Sequence, residues 1–306
     1  MMKAKGPIVV LGSVNADLVL RCEHLPRPGE TVHGEDFQTV PGGKGANQAV
    51  AAARLGGRVE FIGCIGDDAF GAAARATLER EGVGTSGLRT QAGVPTGTAM
   101  ILVERSGQNS IALAAGANAR LDVAQVDDAA AAIACASLLV CQLESPLAAV
   151  QHAIGIARRH GVPVLLNPAP ARPLSAALLS EVDILVPNES EAAVLADAGN
   201  ALDPSAAAQA LRGQRAATVI VTLGGKGVCV ADERGTRQWP ATAVQALDTT
   251  GAGDTFIGAF AVARQEGLGT DEAVRFAQRA AAISVTRAGA MASMPSRAEC
   301  DRAATP

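Results

Sequence analysis

The stretch 248-DTTGAGDTFIGAFAVA-263 sets glycines on both sides of Ala252, then an ionisable residue, Asp254, and then an apolar run. Glycines there free the backbone where a helix begins. The first N–H groups of a helix have no intrahelical acceptor, and the helix dipole adds positive character beside them. Such a turn is suited to holding an anion. Phe256, Ile257, Phe260 and Ala263 fall near one helical face, so the spacing predicts an inward-packed helix with Asp254 in its first turn. Two roles stay open for Asp254 from this stretch alone: an N-cap for the helix, or an acid beside the bound anion.

Outward from this segment, short apolar runs bounded by turn residues recur. They are "IVVLG" near 8–12, "EFIGCIG" near 60–66, "LLVCQL" near 138–143, "PVLLNP" near 163–168, "DILVPN" near 183–188 and "TVIVTLGG" near 218–225. Helical patterns such as "KGANQAVAAARLG", "DAFGAAARATLEREG" and "SPLAAVQHAIGIARRHG" lie between them. Continuously apolar strands alternating with amphipathic helices predict an α/β fold, a central, mostly parallel sheet with helices on both faces. Two stretches break that rhythm, 17–40 and 97–114. They alternate apolar and polar residues around Pro26, Pro28, Gly34 and Gly107, and read as a small antiparallel sheet inserted in the main domain. No low-complexity linker divides the chain, so residues 1–306 are expected to form a single domain.

Composition narrows the function. A net charge of −4 without a long Lys/Arg block argues against nucleic acid as a partner. No apolar run approaches the ~18 residues of a membrane span, and "MMKAKGPIVVLG" reads as a first strand, not as a signal peptide. Cys22, Cys64, Cys135, Cys141, Cys229 and Cys300 form no C-x-x-C pair and read as buried, reduced thiols of a cytoplasmic protein. His24, His33, His152 and His160 lack zinc-ligand spacing.

The other glycine clusters are not the common nucleotide loops. In "PGGKGANQ", Gln38 stands where a P-loop needs its first glycine, and Gly45 where it needs Ser or Thr. "LGSVNAD" after the first strand lacks Gly-x-Gly-x-x-Gly. Taken in order, "GSVNAD", "PGETV", "GGKGANQAVAAARLG", "GDDAFG", "AGAN", "QLESP", "LNPAPA", "PNESEA", "VTLGGKGV", "DTTGAGDTF" and "VTRAGA" run from about residue 8 to 296. In these segments the chain resembles the ribokinase-like carbohydrate kinases.

The resemblance implies an ATP-dependent sugar kinase whose base is Asp254, with an anion hole at Gly251, Ala252 and Gly253. That assignment suits phosphoryl transfer, which depends on positioning and charge neutralisation. It places the sugar against Asn15, Asp17, Gly43, Lys44, Asn47, Glu144 and Asp254. For ATP it implies Asn188, Thr222, Leu223, Gly224, Gly225, Lys226, Gly227, Gly253 and Gln278. Glu191, with Asn188 in an N-x-x-E pattern, would organise Mg²⁺ and its waters. Without the resemblance, "PNESEA" reads equally as a solvated helix start. A K⁺ ion is implied at Asp248, Thr250, Ser284, Arg287, Gly289 and Ser293. "AMASMP" near 290–295 is less typical of that loop. "GSVNAD" and "QLESP" favour D-ribose phosphorylated on its 5-hydroxyl, with 2-deoxyribose, fructose or a catalytically silent sugar sensor as alternatives. With only 2% aromatic residues, a sandwiched nucleoside acceptor is hard to build. The inserted strands resemble a lid that pairs two subunits into a homodimer.

Overall fold

The computed structural model describes residues 6–197, 203–213 and 216–303. Among them the strands form two sheets. The larger contains β1 (Ile8–Leu11), β4 (Val59–Gly66), β5 (Gly84–Gln91), β8 (Leu138–Cys141), β9 (Val164–Leu166), β10 (Ile184–Leu185), β11 (Thr218–Thr222), β12 (Val228–Asp232) and β13 (Gly235–Trp239). The smaller contains β2 (Asn15–Cys22), β3 (Gly34–Gly42), β6 (Gly97–Glu104) and β7 (Asn109–Ala114).

In the larger sheet the spatial order is β13-β12-β11-β10-β9-β8-β1-β4-β5, parallel except for the β11–β12–β13 edge. Successive side chains of a strand face opposite sides. Ile8 and Val10 therefore join one core and Val9 and Leu11 the other. The first core is covered by the helices Lys44–Arg54, Ala69–Arg80, Ala252–Glu266 and Thr270–Ser284. The helices Leu147–Arg159 and Pro204–Gly213 help cover the second. With both faces covered, the parallel strands need apolar residues at every position, which is why they read as continuous runs.

Chain order reverses across the sheet between β1 and β8, and a parallel sheet opens a crevice at such a point, beyond the carboxyl ends of its strands. The helices Lys44–Arg54 and Ala252–Glu266 meet above this crevice. A Cβ on Gly258 would lie 2.6 Å from Ala51 Cβ and 2.8 Å from the Gln48 carbonyl oxygen, so the glycine sets how closely the helices approach.

The smaller sheet is ordered β3-β2-β6-β7. It consists of two antiparallel hairpins, but it is not antiparallel throughout, because β2 and β6 pair in parallel. Both strands leave the main domain side by side, at Asn15 and Gly97, and so run the same way. Phe37 and Met100 are 61% exposed, and Ile111 and Leu113 are also exposed, which leaves this sheet with uncovered apolar side chains.

Candidate active site

The helix Ala252–Glu266 begins on Gly251, whose φ of 74° is a left-handed conformation that glycine adopts without strain. Asp254 is the third helical residue and not the N-cap. Its oxygens accept from side chains, Asn47 Nδ2 at 2.9 Å and Gln48 Nε2 at 3.0 Å. The capping role is thereby excluded. Ala252 N–H is taken up by the Thr249 carbonyl at 3.2 Å, and Thr255 N–H by the Gly251 carbonyl at 2.8 Å. The amides of Gly251, Gly253 and Asp254 make no hydrogen bond to a described residue. Of the three residues expected to form the anion hole, Ala252 therefore has its donor engaged, and Asp254 contributes a further open one.

These amides border a polar cavity of about 230 Å³ lined by Lys44, Asn167, Asn188, Glu191, Thr222, Gly251, Gly253 and Asp254, among others. A second, mostly apolar cleft of about 300 Å³ adjoins it and shares Thr222 and Gly253. Its walls include Gly224, Gly225, Gly227, Val244, Phe256, Gln278 and Val285. A flat aromatic base fits such walls, with its phosphates extending toward the open amides. Leu223 and Lys226, expected to bind nucleotide, do not line the cleft. The Leu223 side chain is buried, and Lys226 Nζ pairs with Glu189 at 3.2 Å on the surface. The Gln278 side chain donates to the Pro240 carbonyl at 3.0 Å, which leaves its own oxygen for a ligand.

Asn15, Asp17, Gly43, Lys44, Asn47 and Glu144 gather at the crevice between β1 and β8. Ser13 Oγ donates to Glu144 Oε2 across it at 2.5 Å, and Lys44 N–H donates to the same oxygen at 3.2 Å. Asn118 receives the Val14 amide at 2.8 Å and donates to Asn15 Oδ1 at 2.8 Å, fixing the Asn15 amide. Gly43 has φ 92°, and a Cβ there would lie 2.8 Å from Asn15 N, so the turn into the helix Lys44–Arg54 needs glycine. A Cβ on Gly42 would meet the Asp17 carboxylate at 2.1 Å. Asn47 Oδ1 is buried without a partner, and a hydroxyl donor would satisfy it.

Charge is concentrated here. Burial, then Glu144 and then Asp254 raise the Asp17 carboxyl to about 6. Burial also raises Asp254, opposed by Lys44 and by the two amide donors, with Glu144 adding to the rise. Glu191 is raised by burial, against its hydrogen bond from Asn188 N–H and the nearby Lys44.

Asn188 and Glu191 form a reciprocal capping box, each bond 2.8 Å. Asn188, Glu189 and Ser190 are exposed, as a solvated helix start would be, but Glu191 is buried. Glu191 Oε1 remains free of hydrogen bonds, and among the described residues no cluster of three or more His, Cys, Asp or Glu could hold a metal ion. That donor set fits a Mg²⁺ held mainly by phosphates and water. Asp248 ties two loops together: Oδ1 accepts from Thr250 N–H and Oγ1, at 2.9 and 2.6 Å, and Oδ2 from Gly289 N–H at 2.8 Å. Burial opposes that charge, yet these bonds hold the Asp248 carboxyl below its ordinary value. The hydroxyls of Ser284 and Ser293 bond to carbonyls of their own turns, and Arg287 pairs with Glu299. The carbonyls of Thr250, Arg287, Gly289 and Ser293 accept no hydrogen bond from a described residue, and an oxygen set of this kind fits a monovalent cation.

Ser13, Gln48, Asn118, Gln142 and Asn167 belong to this network and were not singled out from the sequence. Each lies inside a motif read there, "GSVNAD", "GGKGANQ", "AGAN", "QLESP" or "LNPAPA".

Comparison with known proteins shows the family. The profile of the pfkB family of carbohydrate kinases matches residues 5–297. Ribokinase from Haemophilus influenzae is 48% identical over 294 residues, 95% of this chain and 96% of that protein. Ribokinase from Schizosaccharomyces pombe is 45% identical, over 96% of each. A solved structure of Arabidopsis thaliana ribokinase complexed with ribose and ATP superposes with a TM-score of 0.91 at 36% identity, over 97% of this chain and 98% of that one. With an open amide turn, a buried acid beside it and a family match over residues 5–297, the chain belongs to the pfkB family of carbohydrate kinases.

Proposed function

We propose that the protein transfers the γ-phosphoryl group of ATP to the 5-hydroxyl of D-ribose, giving ribose 5-phosphate and ADP. The observation that carries this reading is Asp254, set in the same helical turn as the open amides and lining the polar cavity, with its neighbour Gly253 shared between that cavity and the apolar cleft. Near relatives named ribokinase, one of them complexed with ribose and ATP, support ribose as acceptor.

The residues divide the work. Asp17, Glu144 and the amides of Asn15 and Asn47 receive or offer hydrogen bonds to vicinal hydroxyls. Asp254 takes the proton of the attacking hydroxyl while the new P–O bond forms and the bond to the ADP oxygen breaks. The amides of Gly251, Gly253 and Asp254 and the Lys44 ammonium offset charge on the transferring phosphoryl group. Mg²⁺, when bound through Asn188 and Glu191, would neutralise the phosphates. K⁺, when bound by the Asp248–Thr250 and Ser284–Ser293 loops, would steady the turn that carries the amides. The uncovered apolar side chains of the small sheet support its use as a lid that pairs two subunits. Six cysteines without a disulfide support a reducing, cytoplasmic setting.

A coupled ADP-release assay with ribose, 2-deoxyribose, fructose and adenosine tests the reading. Fastest turnover with ribose, and a ³¹P signal for a 5-phosphate monoester, are expected. Ribose binding without turnover on any acceptor would instead make the protein a sensor. Asp254→Asn is expected to bind ATP while kcat falls by about 10²–10⁴, and turnover near that of the parent protein would remove Asp254 as the base.

A further inference from the structure

Behind Asp254 lies a chain of amides that the reaction as described does not use. Gln142 and Gln48 are 0% and 1% exposed. Gln142 Nε2 donates to Gln48 Oε1 at 2.6 Å, which turns the Gln48 NH₂ group the other way. That group donates to Asp254 Oδ1 at 3.0 Å and to Asn167 Oδ1 at 3.2 Å. Asn167 is itself fixed, since its Nδ2 donates to the Val186 carbonyl at 2.9 Å. Flipping Gln48 would bring its oxygen against two acceptors and its NH₂ against another donor, so the network permits one orientation.

We infer that Gln48, oriented by Gln142, is a positioning residue for phosphoryl transfer, pinning one oxygen of the Asp254 carboxylate in the rotation and charge state that proton abstraction uses. The inference rests on the kinase reading above. Charged groups near Asp254 act in both directions. Lys44, on the helix that carries Gln48, favours the carboxylate and Glu144 beyond β8 opposes it, while Asp254 in turn raises the acids that face it, Asp17 on β2 and Glu191 beyond β10. With three acids nearby, loss of one amide donor moves Asp254 toward its protonated form, which cannot accept a proton.

Gln48→Met keeps the side-chain length and removes the donor, and Gln142→Leu leaves Gln48 in place but frees its amide to turn. For Gln48→Met, kcat for ribose at pH 7 is expected to fall about tenfold with KM within about threefold of the parent. The acid limb of kcat against pH moves up by about one unit, the size of one hydrogen bond to a charged group. Gln142→Leu shifts the limb in the same direction by less. The ¹³C titration of the Asp254 carboxyl in ligand-free protein, assigned by its loss in Asp254→Asn, moves upward in both variants. That measurement does not use turnover, so absence of ribose phosphorylation would sink the kinase reading and still leave Gln48 tested. An unchanged carboxyl midpoint, or a loss of kcat with no movement of the acid limb, overturns the inference. If Gln48→Met does not fold, Gln142→Leu decides by the same titration.

Discussion

Asp17 holds a charge that the fold disfavours. Its folded value, about 6, lies above the ordinary 3.8, so between these values the folded chain binds a proton that the unfolded chain releases. Stability associated with this group is present below about pH 4 and is lost as pH rises through about 6. Asp17→Asn removes that loss. It is expected to raise stability at pH 7.5 by about 1–2 kcal/mol, after allowance for the group's partial exposure, while ribose affinity falls by roughly 5- to 150-fold. Melting curves at pH 7.5 and pH 4 check the sign, since the gain should shrink at the lower pH. A gain that persists at pH 4 would contradict it. At this scale the sequence yielded the polar groups that line the crevice but not those behind them. Gln48 and Asp254 are 206 positions apart, and Gln142 and Gln48 are 94 apart. No local pattern shows that such residues touch, whereas a glycine turn ahead of an apolar helix is local and was readable.

The helix Lys44–Arg54 joins two parts of the site. At its start are Lys44, Asn47 and Gln48. At its end Arg54 makes a paired contact with Glu81, both bonds 2.7 Å, and donates to the carbonyls of Met291 and Met294 at 2.6 and 3.1 Å. Arg54 thus tethers the loop that contains Gly289 and Ser293. Arg54→Met retains the aliphatic stem and removes these bonds. It is expected to lower the melting temperature by a few degrees and to raise the K⁺ concentration needed for half-maximal turnover, as a KCl titration would read. An unchanged KCl midpoint would show that the tether does not serve the cation loop. The elements themselves were legible where burial is complete, as in β1, β8 and β9. β5 was not foreseen, because "GTSGLRTQ" is an edge strand, only partly covered and without an apolar run. β10 has only two residues, so "DILVPN" marked its place but overstated its length.

Over the whole molecule, a mostly parallel sheet covered on both faces followed from apolar runs alternating with helices, whereas the strand order that opens the crevice between β1 and β8 did not. Nor did the parallel contact of β2 with β6, because hairpin signals give pairing within each hairpin and not between hairpins. Phe37 and Met100 share a face of the small sheet, since Leu20 pairs with Phe37, Leu18 with Met100, and both leucines lie two apart on β2. Exposed apolar surface of this kind favours a second subunit. The parent is expected to sediment as a dimer and the double variant Phe37→Glu/Met100→Glu as a monomer. Identical sedimentation of the two would place any dimer contact elsewhere.

Asn15 pairs with Gly42 on one side and Gly97 on the other, so the base of the small sheet is a crease of two glycines around one buried amide. Asp17 lies two residues along the same strand, and β3 passes almost directly into the helix that starts at Lys44. On the function proposed above, acceptor recognition and cover are wired in series along one piece of backbone. On that reading, a transplanted cover from another kinase would carry its own acceptor preference with it, whereas the open-amide turn at Gly251 could stay as it is.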